Sequence, residues 1–192
     1  MGVPFPSVTM QTWRFVRRAS LAALTAAATV SPARAQAPVH PCSESVFRQF
    51  DFWVGEWTVS SSQGAVIAHS TIQRVANDCA ITEHWQPLAG PDGVSISWYA
   101  TTDSMWHQQW VGGGGWLERM AGGFHDGTMT MVATESAMLP GSAVPAAAAP
   151  RAGKYRTNWS LQPDGSVKQW AETTTDGVNW TLAFVGIYRR AG

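Results

Sequence analysis

The sequence predicts an all-β protein: an up-and-down antiparallel β-barrel of about 8–10 strands with a short N-terminal plug helix. Three observations lead there. Beyond Glu56 the chain is a succession of short runs of alternating apolar and polar residues, divided by turn residues, with no long helical pattern. All connections but one are short, so sequential strands pair in order, and a sheet of this many strands closes to remove its adhesive edges. Ahead of the first run lies Phe50-Asp51-Phe52-Trp53-Val54-Gly55-Glu56-Trp57. Its two tryptophans bury large apolar areas, and the glycine between them lets the backbone turn from plug to strand. A two-sheet sandwich is the alternative arrangement of the same strands.

The first 35 residues read as a secretory signal: Arg14, Arg17 and Arg18, then an apolar run from Ala19 to Val30, then Ala33-Arg34-Ala35, with cleavage expected after Ala35. Met10 is an alternative start, and Arg17-Arg18 is a partial twin-arginine pattern. The apolar run is too short to anchor the chain as a membrane span. The expected location is therefore periplasmic or secreted, without stable membrane insertion. Four of the 13 basic residues and none of the 13 acidic ones fall in this leader, so the remainder carries a formal −4, which argues against nucleic acid as a partner. Cys42 and Cys79 are the two cysteines, and an exported protein is expected to join them in a disulfide, with two free thiols as the alternative. They have no metal-like or C-x-x-C spacing, and no His-x-His or Glu-x-x-His pair occurs, so no metal site is expected.

Residues 36–45 form a flexible lead-in, and the barrel domain covers 46–192. Ser43-Glu44-Ser45 can cap a short helix, with Val46, Phe47, Phe50 and Val54 at helical spacing. The expected strands are Trp57–Ser61, His69–Val75, Cys79–Gln86, Val94–Ala100, Met105–Val111, Trp116–Gly122, Thr128–Thr134, Tyr155–Leu161, Val167–Thr174 and Trp180–Arg189. Asn77-Asp78, Pro91-Asp92-Gly93, Gly112 to Gly115, Asp126-Gly127, Pro163-Asp164-Gly165 and Asp176-Gly177 supply the turns. The exception to short connections is 138–153, alanine-rich and bounded by prolines, expected as a mobile loop.

Alternation fixes which residues share a face. Trp106, Gln108 and Trp110 share one, as do Ile81, Glu83 and Trp85, and Ser95, Ser97 and Tyr99, while His84 and His107 fall opposite. Aromatic walls with a few polar groups suit a ligand pocket, so Glu83, Trp85, Ser97, Tyr99, Trp106, Gln108, Trp110, Arg156 and Gln169 are the candidate ligand-binding residues. The same groups could satisfy one another in a filled core, and Glu83 could pair with Arg156 or Arg119.

Gly55-Glu56-Trp57 resembles the Gly-x-Trp signature that opens the first strand of lipocalins and their calycin relatives. The wider pattern, from Arg48-Gln49-Phe50-Asp51-Phe52-Trp53 through Cys79, Glu83-His84-Trp85, Trp106, Gln108-Gln109-Trp110-Val111 and Asp164-Gly165 to Gln169, resembles a bacterial family of exported calycin-like domains of unknown function. The resemblance implies a barrel in which Trp53, Gly55 and Trp57 are structural. It also implies an arginine late in the last strand that covers the tryptophan. Arg189 or Arg190 fits that place, and Arg189 is the residue taken here. Nitrobindin-like relatives hold haem through a histidine near the C-terminus; no histidine follows His125, and no cofactor is expected.

The leading expectation is a barrel that binds a small apolar or aromatic molecule in its interior, more a binder than an enzyme. One alternative is a barrel isomerase, cyclase or hydratase, with Glu83 as the sole and weak catalytic candidate and Tyr99 as oxyanion donor. The other is an envelope interaction protein with a filled core, using outer aromatics such as Trp98, Trp116 or Trp170. The oligomeric state is left open.

Overall fold

A computed structural model describes residues 41–142 and 153–192. The expected signal segment, most of the lead-in and the centre of the 138–153 loop lie outside the described residues. Two 3₁₀ turns, Ser45–Arg48 and Asp51–Trp53, precede ten strands: β1 Gly55–Ser60, β2 Val66–Val75, β3 Ala80–Pro87, β4 Gly93–Ala100, β5 Met105–Gly112, β6 Trp116–His125, β7 Thr128–Met138, β8 Tyr155–Leu161, β9 Val167–Thr173 and β10 Thr181–Arg190. Each strand pairs antiparallel with the next, and β1 pairs with β10 to close the barrel. The architecture is the expected one, and it is consistent with a calycin-like barrel.

The expected short plug helix is present. It is two 3₁₀ turns, and the residues it buries are Phe47, Phe50 and Trp53, spaced by three rather than by the α-helical period. So short a segment gains little from α-helical hydrogen bonds. Burying three rings at one end of the barrel decides its winding instead. Glu44 occupies the N-cap and makes no side-chain cap bond.

Phe50 stacks on Trp53 with ring centroids 4.9 Å apart and meets Trp159 and Trp106 edge-on at 5.3 and 5.8 Å. Met129, Met131, Val59 and Val167, all fully buried, complete a solid apolar half of the interior around these rings.

The plugged end is sealed by Arg190, not Arg189. The Arg190 guanidinium carbon lies 4.1 Å from the centroid of the Trp57 ring, and its Nη1 donates to the Val54 carbonyl at 2.9 Å. Tyr188 faces inward, so alternation turns Arg189 outward, where it lies 3.9 Å from Asp164, and returns Arg190 to the inner side. Gly55 has φ +148°, and a Cβ there would collide with the Arg190 guanidinium. The Trp57 indole N–H donates to the Trp53 carbonyl at 2.9 Å, tying plug to strand.

The expected disulfide is present: Cys42 joins Cys79, across 37 residues. It fixes the segment before the plug to the β2–β3 turn, where Ala76, Asn77 and Asp78 all have positive φ. An Arg74–Asp51 ion pair adds a second tether between plug and wall.

Candidate functional site

The half of the barrel away from the plug is not filled. Along four strands the inward positions run from apolar at the plug, through polar, to aromatic at the mouth, and β10 follows with a glycine in the middle place. β3 gives Ile81, Glu83, Trp85; β5 gives Trp106, Gln108, Trp110; β6 gives Met120, Glu118, Trp116; β8 gives Trp159, Thr157, Tyr155; β10 gives Tyr188, Gly186, Phe184. The upper residues surround a cavity of about 310 Å³, at the lower end of the range for small-molecule sites. Small residues stand behind its lining. Ser70 and Ser95 are buried against Glu83 and Ser97 against Gln108, and Gly93 leaves room for the Trp110 ring directly over its Cα.

Two carboxyls face this cavity. Glu83, 6% exposed, accepts from Ser70 Oγ at 2.9 Å, Ser95 Oγ at 3.3 Å and the Tyr188 hydroxyl at 3.4 Å. Burial pushes its pKa up to about 7, with the three hydrogen bonds pulling the other way. Tyr188 has one hydroxyl proton, and its closer contact is with Gln169 Oε1. Burial, with the Glu83 charge beside it, holds the Tyr188 phenol well above the ordinary tyrosine range. Gln108, 4% exposed, donates from Nε2 to Ser97 Oγ at 3.0 Å.

Glu118 is different. It is 3% exposed, its Oε1 is buried without a hydrogen-bond partner, and burial alone raises its pKa to about 8. Tyr155 beside it is pushed up to about 12, by burial first and then by the Glu118 charge. The indole N–H groups of Trp110 and Trp116 are also buried and unpaired. So are those of Trp53 and Trp159 in the solid half, so an unpaired indole does not by itself mark a site.

Of the nine expected ligand-binding residues, Glu83, Trp85, Gln108, Trp110 and Gln169 line the cavity. Four do not. Trp106 and Tyr99 face inward but lie at the plugged end. There Trp106 donates to Gln49 Oε1 at 3.0 Å, and Tyr99 packs edge-on against Phe47 at 5.4 Å. Ser97 is fully buried behind Gln108. Arg156 faces outward, where it pairs with Glu172 at 2.8 Å and covers the Trp180 ring at 4.1 Å. It therefore does not neutralise Glu83, and neither does Arg119, which pairs with Glu135 on the outside. Trp116, expected on the outer face, lines the mouth, whereas Trp98 and Trp170 do face outward, against His107 and Lys168.

A hollow of about 490 Å³ also lies over the outer wall of β2–β5, edged by Thr71, Thr82, Val94, Ile96 and Val111. These side chains alternate toward solvent and bring no unpaired buried polar group together, so the interior cavity is the candidate site. A comparison with known protein families finds no family model that matches the chain, and a comparison with curated proteins finds no match.

Sequence reasoning missed Glu118, Tyr155 and Tyr188. The signal was available for Glu118, which shares its face with Trp116 and Met120 across the Trp116–His125 run. For Tyr188 it was the parity with Gly186 and Phe184. A closed barrel with buried aromatic residues and an interior cavity is compatible with ligand binding.

Proposed function

We propose that this protein binds a small apolar or aromatic molecule in the open half of its barrel, outside the cytoplasm, as a calycin-like binding protein. The observation that supports it is the cavity itself: Trp85, Trp110 and Trp116 form its aromatic wall, and polar groups from β3, β5, β6 and β9 converge beneath them. The Cys42–Cys79 disulfide supports export to an oxidising compartment. Native mass spectrometry of the exported protein should show a co-purifying small molecule, and tryptophan fluorescence should respond to members of a lipid, phenolic and indolic panel. No retained mass together with no response across that panel would overturn the reading.

The enzyme alternative rests on one observation, the Glu83 carboxyl with a pKa near neutrality. Tyr188, not Tyr99, is the phenol beside it. Glu83 is already held by Ser70 and Ser95, which favours an organising role over proton transfer. Glu83→Gln separates the two readings: a binder keeps ligand affinity within a few-fold, whereas an enzyme loses turnover.

A further inference from the structure

The chemistry of the cavity narrows what it takes. Among the described residues no Lys, Arg or His lines it, and two carboxyls do. Glu83 has its hydrogen-bond partners within the protein. Glu118 has one oxygen buried with none, and the arginines of the neighbouring wall are committed outside, Arg119 to Glu135 and Arg156 to Glu172. A buried carboxylate without a counter-charge is costly, so the free protein keeps Glu118 protonated, and a cationic ligand group is what would stabilise its ionised form. Indole faces present the negative side of their quadrupole, which suits the same charge. Among the described residues no third His, Cys, Asp or Glu joins these two to form a metal-holding group, which points to an organic cation.

We propose that the cavity binds an organic ammonium ion: a protonated amine on an aromatic or apolar body, its N–H donating to Glu118 Oε1 while Trp85, Trp110 and Trp116 enclose the body. This rests on the binding reading above and goes beyond it by fixing the charge of the ligand and the residue that meets it.

The proposal carries a pH signature. The groups facing Glu118 across the cavity are Glu83 on β3, Tyr155 on β8 and Tyr188 on β10; the inward neighbours on β5 and β7, Trp110 and Ser136, carry no charge. The two phenols stay protonated through neutrality. In the free protein Glu118 holds a proton until about pH 8, and an ammonium ligand displaces it. Affinity therefore rises with pH up to about 8, by about 50-fold from pH 6 to pH 8, and then levels off until the amine itself loses its proton. Ionisation of Glu83 near pH 7 acts in the same direction.

The test is isothermal titration calorimetry of the disulfide-intact protein with three probes of like shape: naphthylethylamine, naphthylethanol and naphthylacetic acid. The expected result is that the amine binds at least about tenfold tighter than the alcohol at pH 8, with proton release on binding. Glu118→Gln should then remove the amine's advantage over the alcohol. Should the variant fail to fold, the wild-type pH profile and the amine-to-alcohol ratio decide. If the alcohol or the acid binds as tightly as the amine, the cation assignment is overturned and the cavity reading stands. If none of the three binds while the fluorescence panel finds another ligand, the assignment is likewise overturned. If neither experiment finds any ligand, both fall.

Discussion

Glu118→Gln should stabilise the folded protein, and by an amount that depends on pH. The Glu118 carboxyl has an ordinary pKa of 4.5 in the unfolded chain and about 8 in the barrel, because burial disfavours its charge. Between those values the folded state holds a proton that the unfolded state releases. The folded pKa is the higher one, so stability is full below about pH 4.5 and falls as pH rises toward 8. The gap between 4.5 and about 8 corresponds to a ceiling of about 5 kcal/mol, and water entering the cavity lowers it. Glutamine keeps the shape and cannot ionise. Urea unfolding without ligand should therefore show the variant within about 1 kcal/mol of wild type at pH 5 and about 2–4 kcal/mol more stable at pH 8. Equal stability at both pH values would mean that Glu118 is solvated or paired, and the reasoning from its isolation would fail. A gain at pH 8 would show that the residue is kept at a cost to stability, as residues retained for function often are.

Other outcomes follow from the frame. Replacing Cys42 and Cys79 by serine should cost about 4 kcal/mol in chemical unfolding, the chain-entropy value for a 37-residue separation; a loss under about 1 kcal/mol would show that the plug holds without its tether. Arg190→Ala should cost about 1 kcal/mol by removing the guanidinium from Trp57 and from the Val54 carbonyl. Arg189→Ala should stay within about 0.5 kcal/mol, since its partner Asp164 is exposed, and the reverse order would refute the sealing assignment. Gly55→Ala should cost about 2 kcal/mol in the same assay, combining a φ of +148° with displacement of Arg190.

The barrel was legible because ten alternating runs and their turn residues survive almost unchanged as ten strands. Tyr155–Leu161 matches residue for residue, and β7 extends the expected run only because its end pairs with Trp116 across the sheet. The inward or outward sense of Glu83 and Gln108 was legible for the same reason: it depends only on parity. Depth along the barrel axis was not. Trp106 and Trp110 have the same parity, yet one is in the solid half and the other at the mouth, because the plug enters from one end only. Bulges erase parity itself. The shift between Arg119 and Met120 sets Ser136 opposite Glu118 on the inner face, and no residue pattern announces it.

The division of the interior into a solid and an open half explains how one small domain can hold two buried carboxyls. A cavity lined by Glu83 and Glu118 contributes little to folding and costs stability as pH rises from about 4.5 toward 8. The favourable side lies with Phe50, Trp53, Trp57, Met129, Met131 and Trp159, all 1% exposed or less, and with the disulfide that holds the plug among them. Each strand serves both halves, since stepping two residues along β3 goes from Ile81 to Glu83 and two more reaches Trp85. A change at the mouth therefore leaves the packed end untouched, and side chains at Trp85, Trp110 and Trp116 can vary with the ligand while the fold is held from below. Trp110→Ala should accordingly alter ligand affinity far more than the unfolding midpoint, whereas Trp159→Ala should cost about 3–5 kcal/mol of stability wherever binding stands.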